Sequence, residues 1–593
     1  MIDKKIVIIL LAISFFSCNF DRIIEDRKYK NVINEVSQLI KYEMDINKIK
    51  GLSIGIVDGQ KIIWARGFGY ASVSQKQKAT AITLYQIGSI SKIFTTLMTV
   101  KMAESGLLDL DKPIQSYVPE VQLKSIDNTE PEITIRQLLT HSAGLPNYDL
   151  PGMFTRNTRI EYEDWIRRLN DTFLAYPPGY CYSYSNLGFV LLGYVLQKVA
   201  ARPFVELSHK LVFKPLKMRH TTYEINEIET KLLAKGYNNQ AELDPFILNF
   251  KPAASVVSNV MDMCRLIKMM HNNGYLYNKH FLKPESIRQM LLPQNMKNRI
   301  DYEFRTGLGW ILNCTMTTII AGHDLKNNQI KYIGHEGSTI LHQGSIRIIP
   351  ERKIGVVVLL NSAAGIRSFE KIALFALDKM LNYKGLAIST NVADASKNVK
   401  KIHKPEDFVG HYATEYFGVL AVKKQLDGLK TNIYNLNLDL NFNENGSFSI
   451  QQDNNDFGPF VGRLFYLDKI AGNEFLVVEN NGKSFRFGVK IKPDPIPPAW
   501  MERCGNYEIL NYNSEDIPYY QNMQLVFKDG FLLIKPSTYQ GVELEFALKP
   551  LNNFQARIKG IGSGMGEIVN IVKAKDSTEV IQYSGLIFKK LNI

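Results

Sequence analysis

Hydrophobic and polar positions follow different rules in different parts of this chain. From residue 30 to about 385 the pattern is mixed. Leu52-Ser53-Ile54-Gly55-Ile56-Val57 is strand-like, Asp58-Gly59 supplies a turn, and Ile62-Ile63-Trp64 resumes, which predicts a hairpin over residues 51–71. A nearly all-apolar block over residues 89–104, stopped near Gly106, predicts a helix, and residues 187–199 predict another. Late in this region, residues 332–349 and 354–360 flank Pro350-Glu351-Arg352-Lys353 and read as two antiparallel strands joined by a turn. Strands at both ends with helices between them predict one antiparallel sheet, closed by the two termini of the unit and flanked by helices, with a helical subdomain inserted: an α+β class.

Residues 386–404 then read as a linker, polar from Thr390 to Lys404. Beyond it the helical period disappears, and short alternating segments such as Leu436-Asn437-Leu438-Asp439-Leu440 and Phe531-Leu532-Leu533-Ile534 give an all-β texture. Gly410-His411-Tyr412 and Gly505-Asn506-Tyr507 open two similar stretches, each with a hairpin signal downstream at Asn445-Gly446 or Asp529-Gly530. Pro493-Asp494-Pro495-Ile496-Pro497-Pro498 separates them as a stiff linker. We expect two lipocalin-like β-barrels, over residues 405–492 and 499–593, with one larger barrel as the alternative.

Composition narrows the class. The chain has 593 residues, 45% apolar and 22% charged, as a multidomain globular protein does. A net charge of +13 comes from dispersed lysines and arginines, without a zinc-finger, RNP-like or P-loop pattern, so no nucleic-acid partner is expected. Cys181, Cys264, Cys314 and Cys504 show no CxxC spacing, and the histidines form no close ligand pair. These spacings favour neither a disulfide framework nor a metal site, and no cofactor is expected. Lys4 and Lys5 precede an apolar run over residues 6–16, too short to span a bilayer. Cys18 follows it. That arrangement resembles a bacterial lipoprotein signal over residues 1–18, with Cys18 lipidated; Phe15 and Phe16 depart from the pattern, and an ordinary cleaved signal is the alternative.

Three short motifs carry chemistry. Gly88-Ser89-Ile90-Ser91-Lys92 places S-x-x-K at the start of the apolar helix, where a spacing of three puts both side chains on one face. A lysine in that setting loses proton affinity, and a helix N-terminus favours a developing oxyanion. Tyr184-Ser185-Asn186 follows the Pro177-Pro178-Gly179 turn. His335-Glu336-Gly337-Ser338 lies in strand-rich sequence, where glycine lets one backbone approach another. Each is weak alone.

Together, in this order, they resemble the serine β-lactamase-like hydrolases: class C β-lactamases, penicillin-binding carboxypeptidases, D-aminopeptidases and related esterases. Leu138-Leu139-Thr140-His141-Ser142-Ala143-Gly144-Leu145, Pro252-Ala253-Ala254-Ser255-Val256-Val257-Ser258 and Gly307-Leu308-Gly309-Trp310 strengthen the likeness, which covers roughly residues 30–385. It implies Ser89 as an acylated nucleophile, Lys92 and Tyr184 as the base system, and Asn186 as a ligand for a substrate amide. It also implies that Gly337 and Ser338 lie on the substrate-facing strand, with the N–H groups of Ser89 and Ser338 as the oxyanion hole. His335 stands where most β-lactamases have lysine. That favours esterase or D-peptidase chemistry, on a small peptide, amide or ester in the cell envelope. The alternatives are a β-lactamase or penicillin-binding protein, and a lipoprotein that binds without turnover. If His335 meets a substrate carboxylate, it is expected to do so as a cation, near or below an ordinary pKa of about 6.5; the other possibility is an uncharged, positioning histidine. Two barrels after such a unit resemble the layout of D-aminopeptidases, whose barrels limit access; otherwise they serve association or envelope binding.

Overall fold

The computed structural model describes residues 23–591 except 128, 149, 157–159, 226–230, 314–318, 320–329, 366, 387–401, 426–427, 434–435, 452–459, 461–462, 539–540 and 575. The leader with Cys18 and most of the 386–404 segment lie outside the described residues.

The hairpin is formed by β1 (Gly51–Asp58) and β2 (Lys61–Ser72). The later stretch holds three strands rather than the expected two: β3 (Ile333–Ser338), β4 (Gln343–Ile349) and β5 (Ile354–Leu360). Thr339 breaks the first pair, its N–H and hydroxyl both turned to His342 O. Ile340 and Leu341 stay buried in that turn, so the apolar pattern runs on while the strand does not. Sheet order is β2-β1-β5-β4-β3, with β5 pairing β1 through Gly55↔Val357 and Ile56↔Val356. The two termini of the unit therefore close one antiparallel sheet.

Both faces of β5 are covered, which is why Ile354–Leu360 is apolar throughout rather than alternating. Val356 and Val358 pack with Val36 and Ile40 of α1 (Lys30–Ile46) and with Ile372 and Leu377 of a late helix, Ser368–Tyr383. Val357 and Leu359 face the other core, with α2 (Ser91–Glu104), α3 (Asn186–Ala200), α4 (Val260–His271) and the inserted subdomain. The late helix is α5. Helix α2 is buried nearly all round, as its sequence demands. Among the described residues no single helix is long and apolar enough to cross a membrane.

The tail forms two closed eight-stranded barrels, with strands from Gly410 to Ile491 and from Gly505 to Lys590. Both turn signals sit between consecutive strands, with Gly446 and Gly530 at positive φ. The repeat is physical: Tyr412 OH donates to Phe408 O at 2.7 Å and Tyr507 OH to Arg503 O at 2.5 Å, each tying a first strand to the helical turn before it. Both interiors are filled, the first by Phe448, Phe465, Phe485 and Phe487, the second by Leu525, Leu532, Ile534 and Phe588. The second barrel docks on the inserted subdomain through Ile517 N–H to Phe154 O (2.8 Å), Arg156 N–H to Glu515 O (2.9 Å) and Leu150 N–H to Ser584 O (2.9 Å).

One buried ion cluster fastens the sheet to its helix. Arg347 of β4 donates to Glu370 of α5 (2.7 Å) and to Glu336 of β3 (2.5 Å), with neither Arg347 nor Glu370 exposed. Removing one partner of a buried pair strands the other, so Arg347→Met is expected to destabilise the protein by roughly 3–5 kcal/mol in chemical denaturation. A loss below about 1 kcal/mol, the surface-pair range, would disprove this.

Candidate active site

The site assembles where the start of α2 meets the edge of the sheet. Ser89 lies in a 3-10 turn, Gly88–Ile90, immediately before the α-helix begins at Ser91. Gly88 has φ +52°, and a Cβ there would fall 2.6 Å from Ser338 N. A Cβ on Gly337 would collide with Ile87 O. The two glycines let the end of β3 lie directly against the Ser89 turn, which brings the backbone of Ser338 beside Ser89.

One turn on, Lys92 has no exposed surface. Its Nζ lies within hydrogen-bond distance of Asn186 Oδ1 (2.7 Å), Ala253 O (2.9 Å) and Ser89 Oγ (3.3 Å), and 4.7 Å from the centre of the Tyr184 ring. Burial holds its pKa well below the ordinary lysine value. A neutral amine has only two N–H groups. The two shorter contacts end on oxygens that can only accept, so in the neutral form both hydrogens would be committed there and the lone pair left for Ser89.

Tyr184 precedes α3, whose N-cap is Ser185, its hydroxyl accepting the Gly188 N–H at 3.0 Å. Burial raises the Tyr184 phenol, opposed by its interaction with the Ser89 hydroxyl. His141 stacks on the Tyr184 ring at 4.3 Å and accepts the Ser185 N–H at 3.1 Å, fixing the loop from behind. Burial pushes the His141 pKa well below the ordinary histidine value. Asn186 is engaged at both ends: Oδ1 takes Lys92, and Nδ2 donates to Asn147 Oδ1 at 2.8 Å.

His335 lies on the same cavity as Ser89, 6.3 Å between its ring and that of Tyr184. Of the two readings of this histidine, its surroundings favour the uncharged, positioning one. His335 is buried, its Nδ1–H donates to Glu336 O (2.6 Å), and burial together with Lys92 pushes its pKa down to about 3.

The cavity has a volume of about 490 Å³. The catalytic unit contributes Ser89, Tyr184, His335 and Ser338; the first barrel adds Arg486, and the second adds Ser563 and Glu567. Arg486 is ion-paired to Glu415 at 2.7 Å. Glu567 accepts the Asn147 N–H (3.0 Å) and the Ser584 hydroxyl (3.2 Å), and burial raises its pKa to about 7. All the residues singled out in the three motifs thus converge. Asn147, Ser563 and Glu567 were not singled out, because their proximity comes from barrel docking, which leaves no local pattern. His141 and Ala253 sat in segments quoted for the family likeness, with no role attached. Among the described residues, no group of three or more His, Cys, Asp or Glu side chains is placed to hold a metal ion.

Comparison with known proteins agrees with this geometry. The model of the Beta-lactamase family matches residues 36–380. Protein flp of Staphylococcus aureus (strain MW2) is 27% identical over 332 residues, 55% of this chain and 62% of flp. A Beta-lactamase of Providencia stuartii is 31% identical over 242 residues, 40% of this chain and 59% of that protein. The chain thus spans less than two thirds of the length of either relative. Among solved structures, the octameric penicillin-binding protein homologue from Pyrococcus abyssi superposes with a TM-score of 0.53 at 25% identity, over 77% of this chain and 99% of that one.

With burial dominating His335, its imidazole ¹⁵N shifts are expected to stay at neutral values between about pH 5 and 8, a range in which an ordinary histidine titrates. A midpoint near 6.5 in that range, absent in His335→Gln, would restore the cationic histidine.

Proposed function

The chain belongs to the β-lactamase family, and we propose that it is a serine hydrolase that forms an acyl-enzyme on Ser89, acting on D-amino-acid peptides and amides or on small esters. The observation that carries this is the set of contacts around Lys92: as a neutral amine it would give both hydrogens to Asn186 Oδ1 and Ala253 O and keep its lone pair for the Ser89 hydroxyl. Ser89 Oγ attacks the carbonyl carbon as its proton moves to Lys92. The oxyanion forms between the backbone N–H groups of Ser89 and Ser338. Collapse of the intermediate breaks the bond to the leaving group, which takes a proton from the Lys92–Tyr184 pair. Water then repeats the attack on the acyl-enzyme and frees the acid.

The identity with the Providencia stuartii Beta-lactamase supports a second reading, β-lactam hydrolysis. Against it stands the charge of the cavity. Among the described residues lining it, Arg486 is the one Lys or Arg, and Glu415 is paired with it; burial holds the pKa of His335 far below the ordinary histidine value. A substrate carboxylate would find no fixed, unpaired cation, while four acidic side chains, Asp301, Glu336, Glu415 and Glu567, border the same space. Neutral esters and peptides without a nearby carboxylate suit it better. The Lys4, Lys5 and Cys18 leader supports export and anchoring in a bacterial envelope.

Intact-mass measurement after a fluorophosphonate probe is expected to show one adduct, lost in Ser89→Ala protein of unchanged fold. Persistent labelling of Ser89→Ala would refute the nucleophile. Lys92→Ala and Tyr184→Phe are each expected to slow acylation about 10²-fold or more. The double variant should be little worse than the poorer single one, because the two act as a unit. Turnover on p-nitrophenyl esters and D-alanyl amides separates an enzyme from a protein that only binds.

A further inference from the structure

Residues 560–567 of the second barrel, between its strands Gln555–Ile558 and Ile568–Lys573, leave the barrel wall and enter the active site. Tyr176 of the catalytic unit grips them, donating to Gly560 O (3.2 Å) and accepting the Gly562 N–H (3.1 Å). Ser183 Oγ donates to Gly562 O at 3.2 Å. The grip delivers Ser563 to the back of the Tyr184–Asn186 loop.

Ser563 donates its hydroxyl proton to Tyr184 O (3.0 Å) and accepts Asn147 Nδ2–H (3.0 Å). Asn147 Oδ1 accepts Asn186 Nδ2–H (2.8 Å), and Asn186 Oδ1 accepts from Lys92 (2.7 Å). This chain has a direction, and its outer end sets it. Tyr184 O is a carbonyl and can only accept, so the single proton of Ser563 is spent on it. The lone pairs of Ser563 then face Asn147, which must present its NH₂ there and its carbonyl to Asn186. Asn186 in turn must present its carbonyl to Lys92. Had either amide been turned over, Asn186 NH₂ would face Nζ and compete for the lone pair that Ser89 needs.

We infer that Ser563 is a positioning residue for acylation: the second barrel fixes the polarity of the hydrogen bonds that aim Lys92 at Ser89. The inference rests on Ser89 as nucleophile and Lys92 as base, and its test is separable from theirs. In the full-length protein, Ser563→Ala is expected to lower the fluorophosphonate acylation rate and kcat on p-nitrophenyl acetate about tenfold, with KM within about twofold. Ser563→Thr, which keeps the hydroxyl, should restore most of the loss. With the Asn186 carbonyl no longer held towards Lys92, the ammonium form loses an acceptor, so the acid limb of the kcat/KM profile should move to lower pH. His141, His335 and Tyr184 around Lys92 are held neutral by burial. Glu567 titrates near 7 beside Asn147, and Glu567→Gln measured in parallel identifies any limb of its own. Parental rates and pH profile in Ser563→Ala overturn the inference. So does a loss that Thr does not rescue and that leaves the profile unmoved, since that is a merely structural effect. If the parent is not labelled, or Ser89→Ala still is, the nucleophile assignment itself fails and the inference falls with it.

Discussion

An amine with no access to water is a demanding object for a protein to contain. Burying a charged ammonium costs on the order of several kcal/mol even after relaxation, so Lys92 must either find acceptors or lose its proton. Here it does both. The oxygens around it come from separate elements, Ser89 from the turn before α2, Asn186 from the start of α3, and Ala253 from the segment before α4. Those elements must therefore converge on a point within one helical turn of Ser89. Apolar packing on every side of α2 makes the site dry, and the dryness lowers the proton affinity of Lys92. The same packing that stabilises the fold thus prepares Lys92 for the base role proposed for it.

The edge of the sheet is under a second constraint. Strand β3 pairs with β4 along its length and on its other side meets Ile311 at Gly334, and its last residues must stop beside Ser89 with a backbone N–H free for chemistry. Two glycines permit the approach, and the Arg347–Glu336–Glu370 cluster holds β3 and β4 to α5. A buried ion cluster is weak evidence of stability, because apolar replacements of similar shape are often as stable. Its value here is geometric: Glu336 is the residue between His335 and Gly337, so the pair that anchors the sheet also fixes the pitch of the strand facing the nucleophile.

Much of this was readable from local sequence. The S-x-x-K spacing fixes two side chains on one helix face whatever the tertiary structure, and the Asp58-Gly59 turn between alternating segments fixes a hairpin. Repeated Gly-x-Tyr openings announced two barrels, since each tyrosine ties back to the residue four before it. What failed was whatever depends on distant chain. Ile340 and Leu341 carry the apolar pattern through a turn, so β3 and β4 looked like one strand. The charge of His335 depends on burial by segments remote in sequence. Asn147 and Ser563 meet across a gap of 416 residues, and no spacing rule connects them.

The barrels are better understood as wall than as lid. Their interiors are filled, and Arg486 of the first barrel and Ser563 and Glu567 of the second line the cavity. A loose cover would touch the catalytic unit through its rim and leave the hydrogen bonding beneath complete. Instead, the second barrel completes it. Asn147 is held by Glu567 on its backbone and by Ser563 on its side chain, and Asn147 in turn holds Asn186, the partner of Lys92. Without the barrel, Asn147 would meet water, which can donate or accept with equal ease and imposes no direction on the amides behind it. A carbonyl–hydroxyl pair imposes one. Directional hydrogen bonding of this kind costs the protein a large appended domain, but it converts two freely reversible amides into fixed dipoles, and a general base needs its lone pair fixed in direction before it needs it strong.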